Sequence, residues 1–467
     1  MSHGAGGALM SRLRAEVADD LSMNDTADLA AEDRRELARS IAMSRLADHS
    51  AERVSAGLAP LEPEEEREAA QWVLDALFGL GRLQPLIDDP DVENIDVNGS
   101  DCVWVTYADG TKVRGPAAAA SDGELIEILR SAAARFGLSE RRFDIATPEL
   151  DLKLPDGSRL SALMSVVARP AVSIRRHRMK DLTLEDLVGL ETLDAGLASF
   201  LAAAVRARKN IVVAGAMNSG KTTLVRALAA EIPPHERVVT IEQAFELGLD
   251  ALHERHPDIV ALEARSANTE GEGEVSMARL VRRALRMNAD RVIVGEVLGD
   301  EVIPMLNAMS QGRSGSMCTI HSDSSGGVFR RIASYAIQAA ERLPVEAANL
   351  LLAGAIHLVV FIDTELASPI GQAGAGPDAA GAQADSGDGG SNTAGGPMRF
   401  EALRRRRYVS SVREVVDAEG LQVVSNEVFR PGPDGRAVGG APLRSSTLDE
   451  LMRFGFEPDL VSSGWTW

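Results

Sequence analysis

The chain has 467 residues, 45% of them hydrophobic, enough for two or three domains with apolar cores, which excludes a small stapled scaffold. A formal charge of −20 repels nucleic acid, no basic stripe offsets it, and no nucleic-acid partner is expected. The two cysteines, Cys102 and Cys318, stand far apart and read as buried thiols in a reducing compartment.

No signal-peptide order opens the chain and no apolar run is long enough to span a bilayer. The expectation is a cytoplasmic protein that meets a membrane through partners. Residues 1–24 read as a disordered tail. From 25 to 85, Ala, Leu, Glu and Arg at helical spacing, broken by Pro60 and Pro63, predict a helical N-terminal module that ends at Gly79-Leu80-Gly81. From 86 to 180, short alternating stretches such as Asn94-Ile95-Asp96-Val97 and Val103-Trp104-Val105-Thr106-Tyr107, with a helix near Glu124–Phe136, predict an α+β domain.

From 181 to 366, helices alternate with short apolar strands at 211–214, 238–241, 259–262, 292–294, 317–320 and 358–362. That alternation predicts an α/β fold with a doubly wound sheet. Residues 367–397, almost all Gly, Ala, Ser, Asp and Gln, predict a disordered insertion. Residues 398–467 return to strand-like alternation and read as the C-terminal part of the same α/β domain.

The run Gly215-Ala216-Met217-Asn218-Ser219-Gly220-Lys221-Thr222 fits the phosphate-loop pattern GxxxxGK[ST] between an apolar strand and a helix that begins with Thr223. Small residues let backbone N–H groups wrap a phosphate chain, and the helix N-terminus adds positive potential. Lys221 supplies charge for the outer phosphates and Thr222 would carry magnesium. Glu242, Glu296 and His321 each end an apolar strand, at the sheet edge where ligands of such folds bind.

The order of phosphate loop, Thr240-Ile241-Glu242, the arginine-bearing stretch Leu280–Met287, Val294-Gly295-Glu296 and Gly315–His321 resembles the secretion ATPase superfamily. It is most similar to CpaF-type ATPases of tight-adherence (Tad) pili. The match extends through Asp89-Pro90, Val97-Asn98-Gly99, Leu154–Arg159, Ser411–Val415 and Asn426–Phe429. The resemblance implies a RecA-like P-loop ATPase domain, lidded by the domain at 86–180 and using ATP and Mg2+. It also implies a homo-hexamer that works on inner-membrane pilus platform proteins from the cytoplasmic face of the cell membrane. It makes Glu242 the water-polarising carboxylate, Glu296 the acid beside magnesium and His321 a sensor of the terminal phosphate. It places Arg159, Arg169, Arg175 and Arg176 in the stretch whose arginines reach phosphates.

Ala216, Met217 and Asn218 replace the Gly, Thr and Gly usual in that loop, and Gln243, Leu298 and Arg313-Ser314 replace other usual residues. Asn tolerates positive φ better than other non-Gly residues, whereas Met217 adds bulk. The expectation is an active but slow ATPase. Two alternatives are a nucleotide-binding ring component with little turnover and a type IV secretion or conjugation motor. Arg282, Arg283 and Arg286 read as a solvated helix face, and Arg404–Arg407 as a solvated or acid-paired strand entry.

Overall fold

The computed structural model describes residues 3–23, 29–136, 142–176, 181–265, 267, 272–310, 314–367, 399–400 and 404–461. From residue 368 on, the insertion expected at 367–397 lies outside them. The chain divides into two units, 1–178 with 373–402, and 179–372 with 403–467.

In the first unit, the tail expected to be disordered is instead helix α1 (His3–Met23). Leu9, Leu13, Val17 and Leu21 recur every four residues and form one buried stripe. It packs with Ala38, Ala42 and Leu46 of α2 (Ala31–Ser55) and Val73 and Leu74 of α3 (Pro63–Phe78). Arg45 grips Asp20 with three hydrogen bonds of 2.9, 2.8 and 2.7 Å. Burial of that stripe holds the segment helical despite the low helix propensity of its early glycines.

After the short α4 (Gln84–Asp88) come β1 (Val92–Asn98), β2 (Val103–Tyr107), β3 (Lys112–Arg114), α5 (Asp122–Phe136), β4 (Glu149–Lys153), β5 (Arg159–Leu163) and β6 (Ala171–Arg175). The strands form an antiparallel sheet in the order β3-β2-β1-β6-β5-β4. Alternation turns Leu150, Leu152, Leu160, Val172 and Ile174 inward, where Leu125, Leu129, Ala132 and Ala133 of α5 share their core.

In the second unit, α6 (Leu184–Gly189) and α7 (Ala195–Arg206) precede β7 (Ile211–Gly215), α8 (Lys221–Ala229), β8 (Val238–Glu242), β9 (Ile259–Glu263), α9 (Met277–Ala284) and β10 (Arg291–Val297). Then follow α10 (Val302–Ser310), β11 (Met317–His321), α11 (Gly327–Gln338), α12 (Val345–Ala355) and β12 (Leu358–Ala367). β13 (Arg399–Phe400) pairs with β3 of the first unit, so this piece of 398–467 does not continue the α/β domain. β14 (Arg404–Glu419), β15 (Gln422–Pro431), β16 (Ala437–Gly439) and α13 (Ser445–Arg453) do continue it.

The sheet order is β16-β15-β14-β12-β7-β11-β10-β8-β9, parallel from β12 to β9 and antiparallel beyond β12. Strand alternation fills both faces. Ile211, Val213, Val360 and Ile362 pack with α7 and α8 on one side; Val212, Ala214, Val359 and Phe361 pack with α10, α11 and α12 on the other. The result is an α/β fold. Its strand β7 lies between β11 and β12, while α8 crosses over to β8, so the chain leaving β7 opens a crevice at the sheet's carboxyl edge.

Asn210 pins the start of β7. Its Oδ1 accepts the Gly315 and Ser316 N–H groups at 2.8 and 3.0 Å, and its Nδ2 donates to the Met309 and Ala355 carbonyls at 3.0 and 2.6 Å. A fully satisfied buried amide of this kind fixes one arrangement, because leaving any of these groups unpaired is costly.

Candidate nucleotide site

The loop between β7 and α8 is shaped by its own backbone. Asn218 takes φ 60° and Gly220 φ 100°, both left-handed, the kind of turn in which backbone N–H groups can form an anion-binding concavity. Asn is among the few non-Gly residues suited to that region. A Cβ on Gly215 would stand 2.4 Å from the Ile362 carbonyl oxygen and 2.5 Å from Ser219 Oγ, so only glycine fits at the loop's base. Ser219 Oγ is buried and has no hydrogen-bond partner among the described residues. Met217 is 73% exposed, so its bulk is not packed into the loop.

Lys221 opens α8 and is only 7% exposed; Thr222 and Thr223 follow, partly buried. Lys221 Nζ donates to the Gly215 and Ala216 carbonyls at 3.3 and 2.9 Å and meets His321 Nδ1 at 3.1 Å. His321 Nε2 in turn lies 2.6 Å from Glu296 Oε1. An ammonium group can only donate, so His321 Nδ1 accepts from Lys221, while Nε2 stands in close polar contact with the Glu296 carboxylate. Lys221 at the head of α8 and two strand-end residues thus form one chain of contacts, Lys221–His321–Glu296.

Register puts His321 opposite Gly215, at the base of the loop. Glu296 arrives by a less regular route. Val294 pairs with Cys318 but Val297 pairs with Ile320, so one extra residue bulges from β10 at Gly295-Glu296. Bulges re-aim side chains, and Thr319 fixes this one by donating to the Gly295 carbonyl at 2.6 Å.

Glu242 ends β8 and is 3% exposed. Its Oε2 accepts the backbone N–H groups of Glu246 and Leu247 at 2.7 and 2.8 Å, which fold the following loop back over it. Glu263, opposite Glu242 on β9, holds the same loop by accepting from Phe245 N at 3.0 Å. A Cβ on Gly295 would come within 2.9 Å of Glu242 Cγ, so the two carboxylate-bearing strand ends are in close contact. On α8, Arg226 lies in the field of Asp181 and Glu242, and burial holds its guanidinium below its ordinary pKa despite both acids.

The donor set fits a nucleotide phosphate with a magnesium ion. The left-handed loop and Lys221 suit the phosphates, and the Thr222 hydroxyl with the Glu296 carboxylate suits a metal that keeps waters and phosphate oxygens as its remaining ligands. No cluster of three or more His, Cys, Asp or Glu side chains offers a metal cage among the described residues.

The four arginines expected to reach phosphates lie in the first unit, and their local roles differ. Arg169 is already committed, with 2.8 and 2.7 Å bonds to Asp122 and a 2.8 Å pair with Asp101, and these raise its pKa further. Arg176 bonds the Asp89 carbonyl and pairs with Asp156 at 3.7 Å. Arg159 and Arg175 stand opposite each other on β5 and β6, with Lys153 next to Arg159 on β4, in one cationic row across three strands.

Sequence reasoning missed Arg407, whose Nε donates to the Asn218 carbonyl at 3.2 Å across 189 residues of chain. In the run Arg404–Arg407, Arg406 pairs with Glu191 at 3.8 Å, as an acid-paired strand entry does, and only the contact of Arg407 with the loop goes beyond that expectation. Cys318 is buried, which raises its thiol pKa, but Cys102 is only half-buried, 2.8 Å from the Arg114 guanidinium. No helix among the described residues is long and apolar enough to cross a membrane.

The chain is similar to a Mycobacterium tuberculosis (strain H37Rv) protein named for conjugal transfer, 35% identical over 61% of this chain and 80% of the relative. Type IV secretion system protein PtlH of Bordetella pertussis is 31% identical over 61% of this chain and 89% of its own length. For VirB11 of Brucella suis the figures are 32%, 61% and 84%. The crystal structure of the Brucella suis VirB11 ATPase in complex with sulphate matches at 28% identity over 60% of this chain and 90% of that one, with a TM-score of only 0.32. The family model described as type II/IV secretion system protein matches residues 78–387, more than half the chain and all of the loop, strand ends and arginine stretch described above, and the chain belongs to that family.

Proposed function

We propose that this protein is an ATP-hydrolysing motor with a RecA-like domain, in which the domain at 86–180 lids the nucleotide and a homo-hexameric ring drives inner-membrane platform proteins of a Tad-type pilus. The observation that carries the hydrolytic reading is the chain Lys221–His321–Glu296 beside a buried, backbone-held Glu242. Phosphoryl transfer asks a protein mainly for positioning and charge stabilisation, and these groups supply both.

In this reading Lys221 leaves its two loop carbonyls to hold the outer phosphates. Thr222 and Glu296 hold magnesium, which neutralises phosphate charge. Glu242, kept in place by two N–H groups, orients the attacking water and accepts its proton. His321, in contact with both Lys221 and Glu296, registers whether the terminal phosphate has displaced those contacts. The pilus assignment rests on the sequence resemblance. A second reading, a type IV secretion or conjugation motor, is favoured by the names of the relatives PtlH and VirB11. Work at the cytoplasmic face of the membrane, through partners and without nucleic acid, follows under the pilus reading.

The test is steady-state phosphate release by the full chain with Mg-ATP, with Glu242→Gln and Lys221→Ala for comparison and solution mass recorded in the same buffer. Turnover lost in both variants is expected. A wild-type hexamer that binds ATP without releasing phosphate refutes the motor and leaves a nucleotide-binding ring component. Loss of pilus assembly in cells expressing Glu242→Gln separates the pilus reading from a conjugation motor, whose loss would abolish DNA transfer instead.

A further inference from the structure

Arg407 touches both left-handed residues of the loop. Its Nε donates to the Asn218 carbonyl at 3.2 Å, and its Cδ lies 3.3 Å from the point where a Cβ on Gly220 would sit. Ile362 of β12 closes the same side, with Cδ1 3.4 Å from that point. Two neighbouring strands therefore form a wall against the crest of the loop.

The sheet delivers this arginine by a defined route. β14 pairs with β12 and β12 with β7, which places Arg407 opposite Thr364 and Ile362 opposite Gly215. Between Phe361 and Ile362 the partner on β14 skips from Ser411 to Val409, so Ser410 is an extra residue. A one-residue shift of register exchanges the two faces of a strand. The bulge thus decides that Arg407 meets the loop while Arg406 pairs with Glu191.

Asn at φ 60° is strained relative to glycine, because its Cβ crowds the backbone, and the conformation persists only where its surroundings hold it. A charge-assisted bond to the Asn218 carbonyl is such a hold. We propose that Arg407 is a positioning residue that clamps the left-handed Asn218 of the phosphate loop from β14 and so keeps the loop's N–H groups set for nucleotide phosphate. The inference rests on the nucleotide reading given under Proposed function. Asn218 and Arg407 act as a pair: an asparagine where glycine would adopt the turn unaided, and an arginine that makes the asparagine workable.

The experiment is calorimetric titration of the full-length protein with Mg-ADP, for the wild type, Arg407→Ala, Asn218→Gly, the double variant and Lys221→Ala. Removing Arg407 from the wild type is expected to raise Kd about tenfold, the loss of one hydrogen bond from a charged donor. Removing it from the Asn218→Gly background is expected to raise Kd less than about twofold, because glycine holds the turn without a clamp. Equal losses in both backgrounds, or no loss in either, overturn the clamp while leaving the nucleotide reading intact. No binding by the wild type, or undiminished binding by Lys221→Ala, overturns that reading and the clamp with it. If circular dichroism shows Arg407→Ala unfolded, Arg407→Met, similar in length and without a donor, repeats the cycle.

Discussion

His321 Nε2 lies 2.6 Å from Glu296 Oε1, so the histidine at the end of β11 and the acid at the bulge of β10 are in direct polar contact. The contact holds Glu296 in place, and the hydrogen bond of the same ring with Lys221 ties that placement to the phosphate loop. His321→Gln is expected to lower kcat for ATP about 10- to 100-fold, the usual cost of losing a group that orients a metal-side ligand. Kd for Mg-ADP should stay within about threefold, measured by the same calorimetry; a parallel loss of both would make the histidine a plain binding residue.

Glu242→Gln keeps an acceptor for the Glu246 and Leu247 N–H groups but cannot take a proton. Phosphate release should fall at least about 100-fold with ATP binding retained. Residual turnover near the wild-type rate would remove Glu242 from the chemistry.

Gly295→Ala tests the packing of the two strand ends. The added Cβ would come within 2.9 Å of Glu242 Cγ, close enough to push the carboxylate aside. A displacement of that order costs about 100-fold in rate where positioning matters. The expected signature is a fall in kcat with little change in the melting temperature, read by single-turnover kinetics and calorimetry.

Burial lowers the pKa of His357 to about 4, with Lys209 adding to the effect, from an ordinary 6.5. Its Nδ1 accepts the Asn210 N–H at 2.8 Å, a bond that needs the neutral ring. Because the folded pKa lies below the unfolded one, the unfolded chain binds the proton first as pH falls. The contribution is present above pH 6.5 and is lost between there and pH 4, reaching at most about 3 kcal/mol. Urea unfolding of the wild type should show that extra loss against His357→Gln, which keeps an acceptor without the titration.

Leu13 of α1 is almost wholly buried against α2 and α3. Leu13→Ala is expected to weaken the helical cluster by about 2–5 kcal/mol. Amide exchange in α1 and α2 should speed up while that in β7 and β11 stays unchanged. Unaltered exchange in α1 would mean that the helix is not held by this stripe.

Sequence alone determined the parts governed by short spacing. GxxxxGK[ST] with a strand before it and a helix after it marks a phosphate site because backbone geometry there is local, and the six apolar runs from Ile211 to Ile362 became the six parallel strands because five are covered on both faces and the sixth, the half-buried edge strand β9, pairs with β8. Glu242, Glu296 and His321 were legible as strand ends for the same reason. Helix α1 was misread because the stripe of Leu9, Leu13, Val17 and Leu21 matters only once α2 and α3 cover it. The bulges at Gly295-Glu296 and Ser410 were invisible, since register is a property of paired strands and not of either strand by itself. Only the tertiary structure decided that Glu296 meets His321 and that Arg407, 189 residues from Asn218 along the chain, meets the phosphate loop, because both contacts depend on strand order and on one-residue shifts that set which face a side chain occupies.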